Sequence, residues 1–161
     1  MNCSLPYNNR IQEQTQWCWA AVATNVDAYY NPLSVWTQAD LVNLELGQAT
    51  CHIDGSTAPC NQPWYLDRAL HRVGRLGSWN SDIATFAECD AEICGQQRPM
   101  GVRIDWQDGT GHFVLIGGLG DASDTMLTVH DPLNGTTYIK HSELVANYLG
   151  FGLWSHTYYT T

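Results

Sequence analysis

The feature of the chain that most restricts its fold is a change in the spacing of its apolar residues after Pro99. Before this residue, apolar side chains recur every three or four positions, which is the repeat of amphipathic helices. After it, apolar and polar residues alternate, as in the stretch 101–106, which is the repeat of a β-strand. Helices followed by antiparallel strands predict an α+β fold, with a helical portion packed on a sheet.

The helices and strands can be placed from their start and stop signals. A first helix is predicted from Cys18 to Tyr30, where Asn31-Pro32 ends it, because proline disfavours helix at the preceding residue. Further helices are expected at 37–47, 61–74 and 83–95, with a short one at about 141–148, and strands are expected at 101–106, 112–118, 126–131, 136–140 and 153–159. With 161 residues, the chain suits one domain, 1–161.

Charge and hydropathy exclude two classes of partner. Seven basic against sixteen acidic residues give a net charge of −9, with no basic cluster, so neither nucleic acid nor an anionic membrane surface is expected to bind. No apolar run approaches the roughly 18 residues of a membrane span. We expect a monomer whose partner is a protein or peptide substrate.

A disulfide among the six cysteines would indicate that the protein works in an oxidising compartment. Cys51 and Cys60 flank a loop with glycine and proline, where a short disulfide is geometrically easy, whereas Cys89 and Cys94 are not expected to pair, since on a helix they would point to different faces. A zinc site using Cys51, His52 and Cys60 is the alternative, but it lacks an evident fourth ligand. We therefore expect a secreted or extracytoplasmic protein that needs no metal and no cofactor.

Cys18 occupies a position that suits a nucleophile. It lies in the first turn of the predicted helix, where unpaired backbone N–H groups and the helix dipole stabilise a thiolate relative to a thiol. The alternative is a small buried side chain at a helix start. The neighbouring Trp17 and Trp19 are expected to pack the helix against the sheet, although either could line a substrate groove.

A cysteine nucleophile needs a base and a group that orients the base. His112 opens a strand directly after the turn Gly109-Thr110-Gly111, and Asp131 ends the following long strand before Pro132. We expect the carboxylate of Asp131 to contact Nδ1–H of His112. His130 should face away from Asp131, because neighbours on a strand point to opposite faces. The alternatives are a strand histidine bonded to the backbone and an aspartate that initiates a turn.

The oxyanion formed on attack at a carbonyl needs hydrogen-bond donors. The backbone N–H of Cys18 is one donor. A side-chain amide from the preceding loop could be the second, and residue patterns alone do not choose among Gln12, Gln14 and Gln16.

These residues resemble the papain-like cysteine peptidases, and more closely the small secreted bacterial group related to bacteriocin-leader-cleaving peptidases and to AvrRpt2-type plant-pathogen effectors. The matching stretches are Cys18-Trp19-Ala20-Ala21 six residues after Gln12, Gly111-His112-Phe113-Val114, Val129-His130-Asp131-Pro132, and the stretches 60–63, 95–99 and 154–157. The resemblance implies a cleft between a helical lobe and a sheet lobe, and it selects Gln12 as the oxyanion donor. The chain differs from plant papain in having Asp131 where papain has asparagine.

The resulting expectation is a cysteine endopeptidase with Cys18 as nucleophile, His112 as acid and base, Asp131 as orienting carboxylate and Gln12 as oxyanion donor. Transglutaminase-like acyl transfer or protein deamidation would use the same triad. A catalytically inactive papain-like module that binds peptides is the third possibility. No pro-segment or transporter domain is apparent, so the usual clues to substrate and activation are missing.

Overall fold

The computed structural model describes residues 2–161 and contains a helical portion and an antiparallel sheet, as predicted. The helices are α1 (Cys18–Tyr30), α2 (Gln38–Leu46), α3 (Leu66–Arg72), α4 (Phe86–Cys89), which continues as a π-helical turn over Asp90–Gly95, and α5 (His141–Ala146). The strands are β1 (Cys3–Ser4), β2 (Leu76–Asn80), β3 (Met100–Asp105), β4 (Gly111–Leu119), β5 (Met126–Asp131), β6 (Gly135–Lys140) and β7 (Leu153–Thr160).

All strand pairs are antiparallel, in the order β2-β7-β3-β4-β5-β6, and β1 pairs with β4. Strand β4 alternates between two apolar clusters. Phe113 and Leu115 belong to the cluster that includes α1 and α3, whereas Val114 and Ile116 belong to the cluster on the other face. The sheet is therefore buried on both faces, and one face carries the helical portion.

Helix α1 is more deeply buried than an amphipathic pattern suggests. Its first ten residues, from Cys18 to Asp27, are all buried. Ala20, Ala21 and Ala23 allow this, because small side chains let neighbouring elements approach closely from several sides. The prediction of a single apolar face was therefore too narrow.

Two further predictions need correction. Helix α3 begins at Leu66 rather than near Asn61, because the chain leading to it is irregular. Strand β2 was not predicted, since Leu76–Asn80 is an edge strand with mostly exposed side chains, and its Gly77 and Ser78 hide any alternation.

Two disulfides constrain the chain. Cys51–Cys60 forms as predicted, and because its sulfurs are bonded to each other they cannot serve as zinc thiolates. The second joins Cys3 to Cys94, a pairing that the sequence had not indicated, and it attaches β1 to the π-helical turn. Cys18 and Cys89 are the free cysteines. Every helix within residues 2–161 is too short or too polar to traverse a lipid bilayer.

Candidate active site

The thiol of Cys18 lies at a helix start that no side chain caps. Trp17, at the N-cap position, makes no side-chain cap hydrogen bond, and the first turn contains no acidic residue. The unpaired N–H groups and the positive end of the helix dipole are therefore available to a thiolate at Cys18. The residue is 8% exposed, so the cleft reaches its side chain.

Two tryptophans hold this helix start to the loop that carries the Cys51–Cys60 disulfide. Nε1 of Trp17 donates to the carbonyl of Cys60, and Nε1 of Trp19 donates to the carbonyl of Gln62, each at 2.9 Å. The Trp17 ring lies so close to Gly55 that a Cβ there would be 2.5 Å from it. Both tryptophans lie in the apolar cluster on the α1 face of the sheet, as expected, and their hydrogen bonds to the loop, which the sequence did not indicate, hold the start of α1 in place; Trp19 also lines the pocket around Cys18.

The sheet contributes a buried histidine–aspartate pair. His112, the second residue of β4, and Asp131, the last residue of β5, are 5% and 0% exposed. Nε2 of His112 lies 2.8 Å from Oδ1 of Asp131. We had expected Nδ1 of His112 to contact Asp131, and this was wrong. Because Nε2 contacts the carboxylate instead, Nδ1 is the ring nitrogen available to Cys18.

The electrostatics of this pair favour its charged form. Burial by itself would lower the pKa of His112, but the hydrogen bond with Asp131, followed by the hydrogen bond and charge of Cys18, raises it to about 9. Burial would raise the pKa of Asp131, but the hydrogen bond and charge of His112 and further side-chain donors hold it well below its usual range. At neutral pH the pair is therefore imidazolium and carboxylate.

Four other donors hold the carboxylate of Asp131 in place. The backbone N–H groups of Leu133 and Asn134 donate to Oδ1 at 2.8 and 3.1 Å. Nδ2 of Asn134 and the hydroxyl of Tyr148 donate to Oδ2 at 2.9 and 2.7 Å. The turn after Pro132 directs backbone N–H groups at the preceding Asp131 side chain, which is the arrangement of an Asx turn. In the sequence, Asn134-Gly135 is typical of a turn, and nothing local indicates a role for Tyr148.

An aromatic side chain covers this pair. The ring of Trp106 stacks on His112 with 6.0 Å between centroids, and on Tyr148 with 6.3 Å, while Phe151 lies 5.1 Å away on a tilted plane. Gly152 permits the arrangement, because a Cβ there would be 2.6 Å from the Trp106 ring. These rings exclude water from the His112–Asp131 bond, which strengthens it.

Gln12 is anchored in the loop that precedes α1. Its amide nitrogen donates to the carbonyls of Gln14 and Thr15, each at 2.9 Å, and its buried amide oxygen has no hydrogen-bond partner within residues 2–161. Both amide hydrogens are thus used inside the loop. Gln16, in contrast, lines the pocket around Cys18.

The pocket around Cys18 opens into a larger groove. Its small pocket and a neighbouring cavity of about 500 Å³ share Pro63, Trp64, Arg103 and Phe113. Aromatic rings form most of the cavity wall, and Asp67 and His156 add polar groups. A groove of this kind, partly apolar with a few polar groups, suits an extended peptide.

His130 lies apart from this chemistry. Its Nδ1 is 2.9 Å from the hydroxyl of Thr136, and its ring packs on Tyr7 at 4.9 Å between centroids. The pKa of His130 is lowered by burial, which favours a neutral ring.

Comparison with known proteins supports this fold and chemistry. No curated protein sequence is significantly similar to the chain. Among solved structures, a double-glycine-motif protease from an AMS/PCAT transporter, crystallised with its leader peptide, superposes with a TM-score of 0.55 at 19% identity, covering 98% of this chain and 94% of that chain. At this identity the similarity establishes the fold alone, and it agrees with the predicted papain-like α+β architecture. The model of the family of the papain-like cysteine protease AvrRpt2 matches residues 1–148, and the chain therefore belongs to this family of papain-like cysteine proteases.

Proposed function

We propose that Cys18, His112 and Asp131 form the catalytic triad of a cysteine endopeptidase that acts through a thioester acyl-enzyme. The observation that carries this proposal is the buried 2.8 Å contact of His112 with Asp131 beside a free cysteine at an uncapped helix start. Each of the three groups has an ordinary structural explanation alone. Together they supply a nucleophile, its proton acceptor and the group that orients the acceptor.

In the proposed reaction, the Cys18 thiolate attacks the carbonyl carbon of the scissile bond and forms a tetrahedral oxyanion. Imidazolium at His112 donates its Nδ1 proton to the departing amine, the C–N bond breaks, and a thioester remains on Cys18. Neutral His112 then removes a proton from water, whose oxygen attacks the thioester. Release of the carboxylic acid returns the thiolate and the imidazolium.

The oxyanion is held by the backbone N–H of Cys18 and by the amide of Gln12. Because both amide hydrogens of Gln12 are bonded to loop carbonyls, one of these bonds must be exchanged for the substrate oxygen. Loss of one oxyanion donor typically lowers kcat by about 10²- to 10³-fold. We expect a loss of this size in Gln12→Ala and only a small change in Gln16→Ala; the opposite order would assign the role to Gln16.

The substrate is a polypeptide that lies along the groove beside Cys18. The double-glycine protease with a similar fold is bound to a leader peptide, and the groove here offers about 500 Å³ next to the nucleophile. The net charge of −9 favours neutral or basic substrates by steering, an effect that added salt should weaken. Two disulfides fit action outside the reducing cytoplasm, and we expect the protein to act as a monomer.

The test is cleavage of an unfolded protein such as casein, measured as the release of new amino termini. Cys18→Ala should abolish release and keep the fold, whereas Cys89→Ala, which removes the other free cysteine, should retain activity. Turnover by Cys18→Ala would end this mechanism. Ammonia release without chain cleavage would instead indicate deamidation or acyl transfer. Slow alkylation of Cys18 together with peptide binding would indicate an inactive binding module.

A further inference from the structure

Tyr148 lies directly behind the proposed triad. It follows α5 and is 1% exposed. Its backbone exchanges hydrogen bonds with Gly152 at 3.0 and 2.8 Å, and its ring stacks on Trp106, which fixes the direction of the phenol. The hydroxyl donates to Oδ2 of Asp131 at 2.7 Å.

The two oxygens of Asp131 have different partners. Oδ1 contacts His112 and accepts from two backbone N–H groups, whereas Oδ2 accepts from Tyr148 and the side chain of Asn134. A donor on Oδ2 stabilises the negative charge of the whole carboxylate. It therefore weakens the attraction of Oδ1 for the proton on His112, while it stops the carboxylate from rotating.

We propose that Tyr148 is a positioning residue of the triad, whose hydroxyl fixes Asp131 and limits how strongly this carboxylate, bound to Nε2, stabilises the imidazolium form of His112. The inference rests on the proposed function. A general acid works best when its pKa lies near the working pH. An imidazolium held too tightly by Asp131 would transfer its proton to the leaving amine too slowly.

The titratable groups near the hydrogen bond between Tyr148 and Asp131 do not take over the phenol's role as donor. Burial, followed by the hydrogen bond and charge of Asp131, raises the pKa of Tyr148 above its ordinary value, so its proton stays in place through the working range. Cys18 acts on the far side of His112, and His130 bonds to Thr136 on β6. Glu143 of α5 lines a cavity that Tyr148 also borders.

The test is the NMR titration of the His112 ring, with His112→Gln to assign the signal. In Tyr148→Phe the pKa of His112 should rise by roughly half to one unit, since Asp131 loses one donor to its charge. Deprotonation of His112 at alkaline pH should also change the rate at which iodoacetamide labels Cys18. The pH of this change should rise by the same amount. The control is Tyr138→Phe, which removes a hydroxyl from a side chain that is 57% exposed, and it should change neither.

A merely structural role for Tyr148 predicts a lower melting temperature with an unchanged His112 titration, and that result in folded Tyr148→Phe would overturn the inference. If Tyr148→Phe does not fold, Asn134→Ala removes the other side-chain donor to Oδ2 from an exposed loop, and it should shift His112 in the same direction. No shift there would also overturn the inference. Cleavage by Cys18→Ala, in contrast, would reject the proposed triad, while the comparison of His112 between Tyr148→Phe and the unaltered protein would still decide the role of Tyr148.

Discussion

The pH dependence of stability in Asp131→Asn tests the electrostatic basis of the site. Asparagine keeps the shape of the side chain. Its oxygen can remain with His112 and the backbone N–H groups of Leu133 and Asn134, and its amide nitrogen can donate to the Tyr148 hydroxyl, which then accepts. The substitution removes the charge of the carboxylate and the hydrogen bond that Oδ2 accepts from Nδ2 of Asn134 at the exposed turn, and it can keep the other hydrogen bonds of this side chain.

The expected magnitude follows from the titration of His112. In the folded protein its pKa is about 9, against 6.5 for an ordinary histidine, so the folded state binds the proton more tightly. The resulting stabilisation is fully present below pH 6.5 and is lost as the pH rises through 9. A difference of this size corresponds to about 3 kcal/mol of unfolding free energy.

Without the charge at position 131, burial still lowers the pKa of His112 and Cys18 is the remaining group that raises it, so most of this loss of stability at high pH should disappear. The assay is urea unfolding of both proteins at about pH 6 and about pH 10, with disulfides intact. Groups that titrate equally in both proteins cancel in the comparison. The decline between the two pH values should be smaller in Asp131→Asn by up to about 3 kcal/mol, the part due to Cys18 being retained. An equal decline in both proteins would refute the ion pair.

Three further predictions concern residues fixed by close contacts or burial. Gly111→Ala should lower kcat/KM in a casein assay while the protein still folds, because the new Cβ would be 2.6 Å from Arg103, whose side chain lines the pocket at the nucleophile; unchanged kinetics would contradict this. Gly55→Ala should destabilise by about 1–3 kcal/mol in urea unfolding, since its Cβ would be 2.5 Å from the Trp17 ring, and unaltered stability would show that the ring moves freely. Cys89, whose pKa burial raises to about 12, should resist iodoacetamide until the protein unfolds, as mass mapping would reveal.

The predictable part of the fold is the part with strong local signals. Helix α1 begins and ends at the predicted residues, because Asn31-Pro32 is an unambiguous stop and its apolar spacing is regular. Strand β5 also has the predicted bounds, since a run of apolar and β-branched residues is stopped by Pro132. Where the local signal was weak, as at the edge strand β2 and at the start of α3, the prediction failed.

The candidate site was predictable only in its polar members. Cys18, His112 and Asp131 stand at element boundaries, where a sequence pattern can place them. The groups that surround them depend on long-range contacts: Tyr148 reaches Asp131 from beyond α5, and the covering Trp106 lies between β3 and β4. Tertiary packing alone brings such residues together, so no periodicity or motif in the sequence predicts their contacts.

The most direct test of the triad is the rate at which iodoacetamide alkylates Cys18 as a function of pH, with mass mapping of the labelled residue. We predict fast labelling of Cys18 alone that is slowed strongly by His112→Ala, because the imidazolium of His112 stabilises a neighbouring thiolate. Labelling of Cys18 as slow as that of an ordinary buried thiol, with no effect of His112→Ala, would contradict this prediction.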